Sequence, residues 1–312
     1  MGDSAEKTHW SQAEERGGLA GMKILLWVYK VLGSKVFAIF LYPVIFYFFI
    51  FNRAARTASL DFLQRVYRAA PEQNHFEKVP GLRESFRHLV FFGRSLLDKL
   101  RSWMGDVSRH QVEFEQREHL LQLLAEKKGG VIVTSHLGNI ELGRAIGTRV
   151  EKFKMNVLVH TKHAEKFNSL IHSVDPNAQV QLIQVTNVGP DTALMLKEKI
   201  DQGEFIVIAA DRTPIENESR VSRVPFIGEL AGFPQGPFIL ASIMKCPVYL
   251  MICVKQEQHY RMYFETLFEK IVLPRKQRMQ ALDEIVAVFA QRLEFYAIRY
   301  PYQWFNFFDF WR

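Results

Sequence analysis

Two cysteines, Cys246 and Cys253, are all that this chain of 312 residues carries, and both stand on one apolar run. Neither a disulfide framework nor a zinc site is implied, and a reducing compartment fits. No G-x-S-x-G elbow occurs, which sets aside a serine nucleophile even though Ser135 adjoins His136. There is no internal repeat, and no strand pattern interleaves aromatics with Arg and Lys to stack bases, so no nucleic-acid partner is expected. His160, Lys162 and His163 are the one cluster with metal-ligand types, and it reads as a loop after a strand; no metal is expected. The opening MGDSAEKTHWSQAEERGG is polar with mixed charges, unlike a secretory leader, and Glu6 stands where a myristoylation signal needs Ser or Thr. The N-terminus is expected to stay cytoplasmic.

What is abundant is apolar and basic. Forty-eight per cent of the residues are hydrophobic, enough for a substantial core, and 26 are Phe. The formal charge of +7 and pI of about 9.3 favour an anionic partner such as a phospholipid surface or an acidic carrier protein. From Val36 to Asn52 no residue is charged, and every residue except Pro43 and Asn52 is apolar or aromatic. Those 17 residues make a helix of about 25 Å, short of a hydrocarbon core of about 30 Å. Basic residues flank both ends (Lys23, Lys30, Lys35; Arg53, Arg56), so an in-plane, membrane-associated helix is expected over a spanning one.

Amphipathic helical patterns follow near Ala54 to Ala69 and Leu82 to Trp103, the arginines of the second reading as solvated faces. Strand and helix patterns then alternate. VIVT (131 to 134), MNVLVH (155 to 160), VQLIQV (180 to 185), EFIVIAA (204 to 210), PVYLMICV (247 to 254) and YRMYFETL (260 to 267) read as strands. Helices are expected near Glu118 to Lys128, Ala164 to His172, Asp191 to Asp201, Pro237 to Met244 and Met279 to Arg299. This order predicts an α/β fold: a mainly parallel sheet flanked by helices on both faces, preceded by the N-terminal membrane-associated helix.

One stretch, VIVTSHLGNIE, stands out. It is a strand ending on His136, with Asn139 as a helix N-cap candidate and Glu141 in the first turn of the helix that follows. Strand ends are where open α/β sheets place ligands, and a second strand ends on Asp211 and Arg212, predicted on the same edge. Arg220 and Arg223 sit in what reads as a polar loop, suited to phosphate or phosphopantetheine. Gly228, Gly232 and Gly236 punctuate the next loop, whose Phe226, Phe233 and Phe238 either line an acyl pocket or pack the core. Trp304, Phe305, Phe307, Phe308, Phe310 and Trp311 near the end are an interfacial belt or the lid of the core.

Taken together, SHLGNIE, GEFIVIAADRTP, RVPFIGELAGFPQGPFILA (223 to 241) and YPYQWFNFFDFW (300 to 311) resemble the lysophospholipid acyltransferase superfamily, in particular its bacterial lipid A biosynthesis branch of lauroyl and myristoyl transferases. The family's Arg-rich closing segment is here mostly aromatic, with Arg312 at its end. The resemblance implies a membrane-anchoring segment over residues 1–53 and an acyltransferase domain over 54–312, on the cytoplasmic face of a bacterial inner membrane. It implies transfer of a fatty acyl chain from acyl carrier protein or coenzyme A, as co-substrate, to a hydroxyl or amine of a lipid acceptor, with no further cofactor.

Such transfer needs a base for the acceptor's proton, and imidazole titrates in the right range. His136 is the expected base. Glu141, near a helix N-terminus that favours its charge, is expected to orient it, and the N–H groups of Gly138 and Asn139 to receive the oxyanion. Asn139, Asp211, Arg212, Arg220 and Arg223 are the expected substrate contacts. A lipid hydrolase using His136 to activate water, or a non-catalytic lipid-binding scaffold, are the alternatives.

Overall fold

The computed structural model describes residues 31, 33, 39, 41–73, 76–103, 112–139, 153–159, 180–184, 189–213, 220–257 and 259–311. Helices near the start are α1 (41–51), α2 (Arg53–Ala69) and α3 (Leu82–Trp103), followed by strand β1 (Val112–Phe114) and helix α4 (Arg117–Ala125). Next come β2 (Gly130–Thr134), β3 (Met155–Val159), β4 (Val180–Gln184), α5 (Pro190–Asp201) and β5 (Phe205–Ala209). The order closes with β6 (Val221–Phe226), β7 (Glu229–Pro234), α6 (Gly236–Met244), β8 (Val248–Gln256), β9 (His259–Phe268) and α7 (Arg278–Arg299).

Seven strands form one sheet in the order β1-β9-β8-β2-β5-β3-β4. Parallel pairing joins β8, β2, β5, β3 and β4, while β9 runs antiparallel to β8 and carries β1 with it. The expected mainly parallel sheet is therefore present, with each foreseen strand in it. Alternate residues divide between two cores, as the two-residue period of a strand requires. Val131, Val133, Ile206, Leu250 and Ile252 face α2, α5, α6 and α7, whereas Ile132, Phe205, Val207, Tyr249 and Met251 face α4. Helix α7 turns Leu282, Val286, Phe289, Leu293 and Tyr296 inward at helical spacing. Burying each of these large side chains contributes about 1.5–3 kcal/mol.

One expectation is corrected, and two alternatives left open by the sequence are resolved. The stretch from Arg220 to Gly236, read as loops, is mainly the antiparallel hairpin β6–β7. Val224 and Phe226 alternate inward with Arg223 and Pro225 outward, and the hairpin turns through Ile227 and Gly228, both at positive φ, as a tight two-residue turn requires. The isoleucine is held there by burial and by its N–H donating to Glu294 at 2.6 Å. Phe226, Phe233 and Phe238 are fully buried, so they pack the core and do not line a pocket. Residues 300–311, the aromatic segment, form the lid of the core: Trp304 has no exposed surface, and Phe226 and Phe310 ring it at 5.3 and 4.7 Å between centroids.

Helix α1 packs on α3 through Ile45, against Leu89 and Val90, with Phe46 and Phe49 edge-on to Phe86. Asn52 caps α2 by accepting from the Ala55 N–H, and Arg56 reaches back to the Ile50 carbonyl at the end of α1. The outer side of α1 stays bare, with Phe46, Tyr47, Phe48, Ile50 and Phe51 exposed. Among the described residues no helix is long and apolar enough to cross a membrane. Residues 140–152 and 160–179 lie outside the described residues, and with them Glu141, the helix expected around it, the His160–His163 cluster and the helix expected from Ala164.

Candidate active site

β2 and β5 are neighbours in register, Thr134 opposite Ala209, so the residues two further along each strand also come together. They are His136 and Asp211. The Asp211 carboxylate accepts the His136 backbone N–H through Oδ2 and faces His136 Nδ1 through Oδ1, each at 2.8 Å. A carboxylate only accepts, so Nδ1 carries the proton in this pairing and Nε2 is left as the acceptor. The His136 side chain is 33% exposed and that of Asp211 is enclosed.

Asp211 is thus not placed to touch substrate. Its Oδ2 also accepts from the Trp304 indole Nε1 at 3.1 Å and from Asn306 Nδ2 at 2.8 Å. Burial by itself would raise the carboxyl pKa. The charge and hydrogen bonds of His136, with the neighbouring Arg212 guanidinium, overcome that and hold it down at about 2. Asn306 Oδ1 in turn accepts from Arg212 Nε at 3.0 Å, and the Arg212 guanidinium lies over Phe308. Burial lowers the Arg212 pKa against the opposing pull of Asp211.

The loop carrying His136 is wired on every side. Ser135 Oγ accepts the Leu137 N–H, the His136 carbonyl accepts from Phe305 N–H at 2.9 Å, and Leu137 bridges Trp304. Gly138 N–H donates to Gln303 and Asn139 N–H to Cys253, both at 2.7 Å. These two N–H groups are the ones expected to form an oxyanion hole; the backbone carbonyls of β8 and of the closing segment occupy them instead. Gly138 is required where it stands: φ is +74°, and a Cβ would lie 2.0 Å from the Cys253 carbonyl oxygen. Asn139 turns its side-chain amide to the Ser95 carbonyl on α3. Arg220 and Arg223 are exposed at the start of the hairpin.

Helix α3 faces this loop with a stripe of buried polar groups that the sequence reading passed over. His88 is fully buried, its Nδ1 3.0 Å from Ser59 Oγ and its Nε2 2.9 Å from the Trp304 carbonyl. Burial drives its pKa down to about 3, so the ring is neutral near pH 7 and Nε2 must carry the proton it gives the carbonyl. Three turns later Asp98, also buried, receives Lys255 Nζ at 2.7 Å from the end of β8. The available signal was polar residues (Ser85, His88, Asp98, Ser102) set into the apolar stripe of an amphipathic helix. Trp304 and Asn306 gave a weaker one, a lone amide inside an aromatic run.

Among the described residues, no group of His, Cys, Asp and Glu is arranged to hold a metal ion. The arrangement that is present, a half-exposed imidazole whose inner nitrogen is gripped by a buried carboxylate, is able to move a proton at Nε2. No curated protein matches the chain. A family model described as bacterial lipid A biosynthesis acyltransferase matches residues 18–312, and over that length the chain belongs to this family of acyltransferases acting on lipid.

Proposed function

We propose that the protein transfers a fatty acyl group from a thioester, carried by acyl carrier protein or coenzyme A, to a hydroxyl or amine of a lipid at the cytoplasmic face of a bacterial inner membrane. The observation that carries the reading is the 2.8 Å pairing of His136 Nδ1 with Asp211 at the sheet edge, which leaves Nε2 of this partly exposed side chain as the acceptor. In this reading Nε2 takes the acceptor's proton as its oxygen or nitrogen attacks the thioester carbonyl. A new C–O or C–N bond forms, the C–S bond breaks, and the imidazolium returns the proton to the departing thiolate. Asp211 fixes the tautomer and steadies the imidazolium, the role that the sequence leads one to expect of Glu141, which lies outside the described residues.

Membrane association is supported by the bare outer side of α1, continued on α3 by Phe92 and Leu96. The Phe92 ring lies 5.4 Å from both Phe305 and Phe307, so the apolar face runs towards the loop that carries His136. Exposed Arg53 and Arg94 border it, and the formal charge of +7 suits an anionic bilayer or an acidic carrier. In-plane insertion is the geometry a helix of this length supports.

The test is the purified enzyme with acyl carrier protein and coenzyme A thioesters and total bacterial lipid. Wild type is expected to yield an acylated lipid and His136→Ala none. Thioester consumption that yields only free fatty acid would point to a hydrolase, and equal turnover by the variant would remove His136 from the chemistry.

A further inference from the structure

The peptide group between Trp304 and Phe305 is held from both ends. Its carbonyl accepts from His88 Nε2 at 2.9 Å, and its N–H donates to the carbonyl of His136, also at 2.9 Å. The indole on the same residue donates to Asp211 Oδ2. One planar group thus meets the candidate base through its backbone and the base's carboxylate partner through its side chain. Behind it the line continues: Ser59 Oγ donates to His88 Nδ1 and accepts from Ser85 Oγ at 3.0 Å. All of these side chains are buried, and they come from α2, α3 and the closing segment.

We propose that His88 is a positioning residue for the transfer reaction: by fixing the Trp304–Phe305 peptide group it sets both the backbone of His136 and the indole donor on Asp211. The proposal rests on His136 being the transferring base. A polar ring in a buried apolar stripe needs a reason, since Leu or Phe would pack there without the cost of drying two ring nitrogens. His88 is linked to the reacting group through a rigid amide and takes no part in the proton transfer. Hydrogen bonds aligned through one amide polarise one another, so loss at the His88 end weakens the far end too.

Three variants test this in the full-length enzyme. His88→Phe keeps the volume and removes both bonds; kcat is expected to fall about tenfold with KM within about twofold, the signature of misplacement rather than lost binding. His88→Gln retains a donor for the carbonyl and an acceptor for Ser59, and should restore kcat to within about threefold of wild type. Ser59→Ala is a small change that keeps the fold should His88→Phe fail to do so; an intermediate loss, about threefold, is expected. Labelling of His136 by diethyl pyrocarbonate, followed by peptide mass spectrometry, reads the nucleophilicity of Nε2 without reference to transfer. It should slow in the order wild type, Ser59→Ala, His88→Phe. Folded Ser59→Ala and His88→Phe proteins with unchanged kcat and labelling would overturn the proposal. Absent transfer in wild type with the labelling order intact would count against the function and leave the positioning role standing.

Discussion

Asp211 grips His136 twice, at the backbone N–H and at ring Nδ1, both at 2.8 Å. The double contact fixes the ring's tautomer and the position of the loop that bears it with one buried charge. Arg212, the next residue, is linked to the same carboxylate through Asn306, which accepts from its Nε and donates to Asp211 Oδ2.

Replacing Asp211 by Asn should therefore damage chemistry more than binding. The amide can present its NH2 to Nδ1 and so favour the wrong tautomer, and it lacks the charge that steadies the imidazolium. A loss in kcat on the order of 10²–10⁴-fold is expected with KM little changed. Steady-state kinetics on the folded variant decide it, and near-native turnover would contradict the pairing's role.

His88 makes the fold acid-sensitive in a definite window. Its pKa falls from 6.5 in the unfolded chain to about 3 in the folded one, so below pH 6.5 the unfolded state binds the extra proton. Its contribution to stability is complete above 6.5 and declines as pH falls towards 3, by about 1.4 kcal/mol per pH unit. Asp211, depressed from 3.8 to about 2, adds stability present above 3.8 and lost below that towards 2. Urea unfolding at a series of pH values should show the first slope in wild type, and His88→Gln should flatten it.

Gly138 and Gly228 both have positive φ, yet their substitution should differ. Alanine at Gly228 meets nothing nearer than Ala69 Cβ at 3.8 Å and costs only backbone strain, about 1 kcal/mol. At Gly138 the same methyl strikes the Cys253 carbonyl, and the loop must move. A loss of about 2–4 kcal/mol together with activity is expected there. Thermal unfolding beside transfer assays separates the two.

Phe48 and Phe51 are 51% and 71% exposed, so Ser at both should leave the unfolding midpoint unchanged. Vesicle binding should weaken on the order of 10²-fold if both rings enter the bilayer. Sedimentation with anionic liposomes measures it, and unaltered binding would move the docking face elsewhere.

Much of the fold was legible because strand periodicity is local. Val131 to Thr134 and Phe205 to Ala209 announce themselves, and so do the residues just past their ends, His136 and Asp211. That the two strands are neighbours is a long-range fact that sequence alone does not carry, whereas Glu141, the carboxylate expected to orient His136, lies outside the described residues. The β6–β7 hairpin escaped because its turn places a β-branched Ile227 at positive φ, which no turn rule favours. The donors expected at Gly138 and Asn139 failed for a similar reason: their acceptors, Gln303 and Cys253, lie over a hundred residues away in the chain. His88 gave no local signal of its role, because its partners Ser59 and Trp304 come from other elements.

The closing segment has a consequence in time. Synthesis delivers β2 and β5, and so both members of the His136–Asp211 pair, long before Phe305 and Asn306 emerge. Until then Asp211 lacks its indole and amide donors, and the His136 carbonyl has no partner. On the proposed reading, a chain that stops short of residue 306 carries His136 and Asp211 without these donors, and synthesis through residue 306 completes their surroundings.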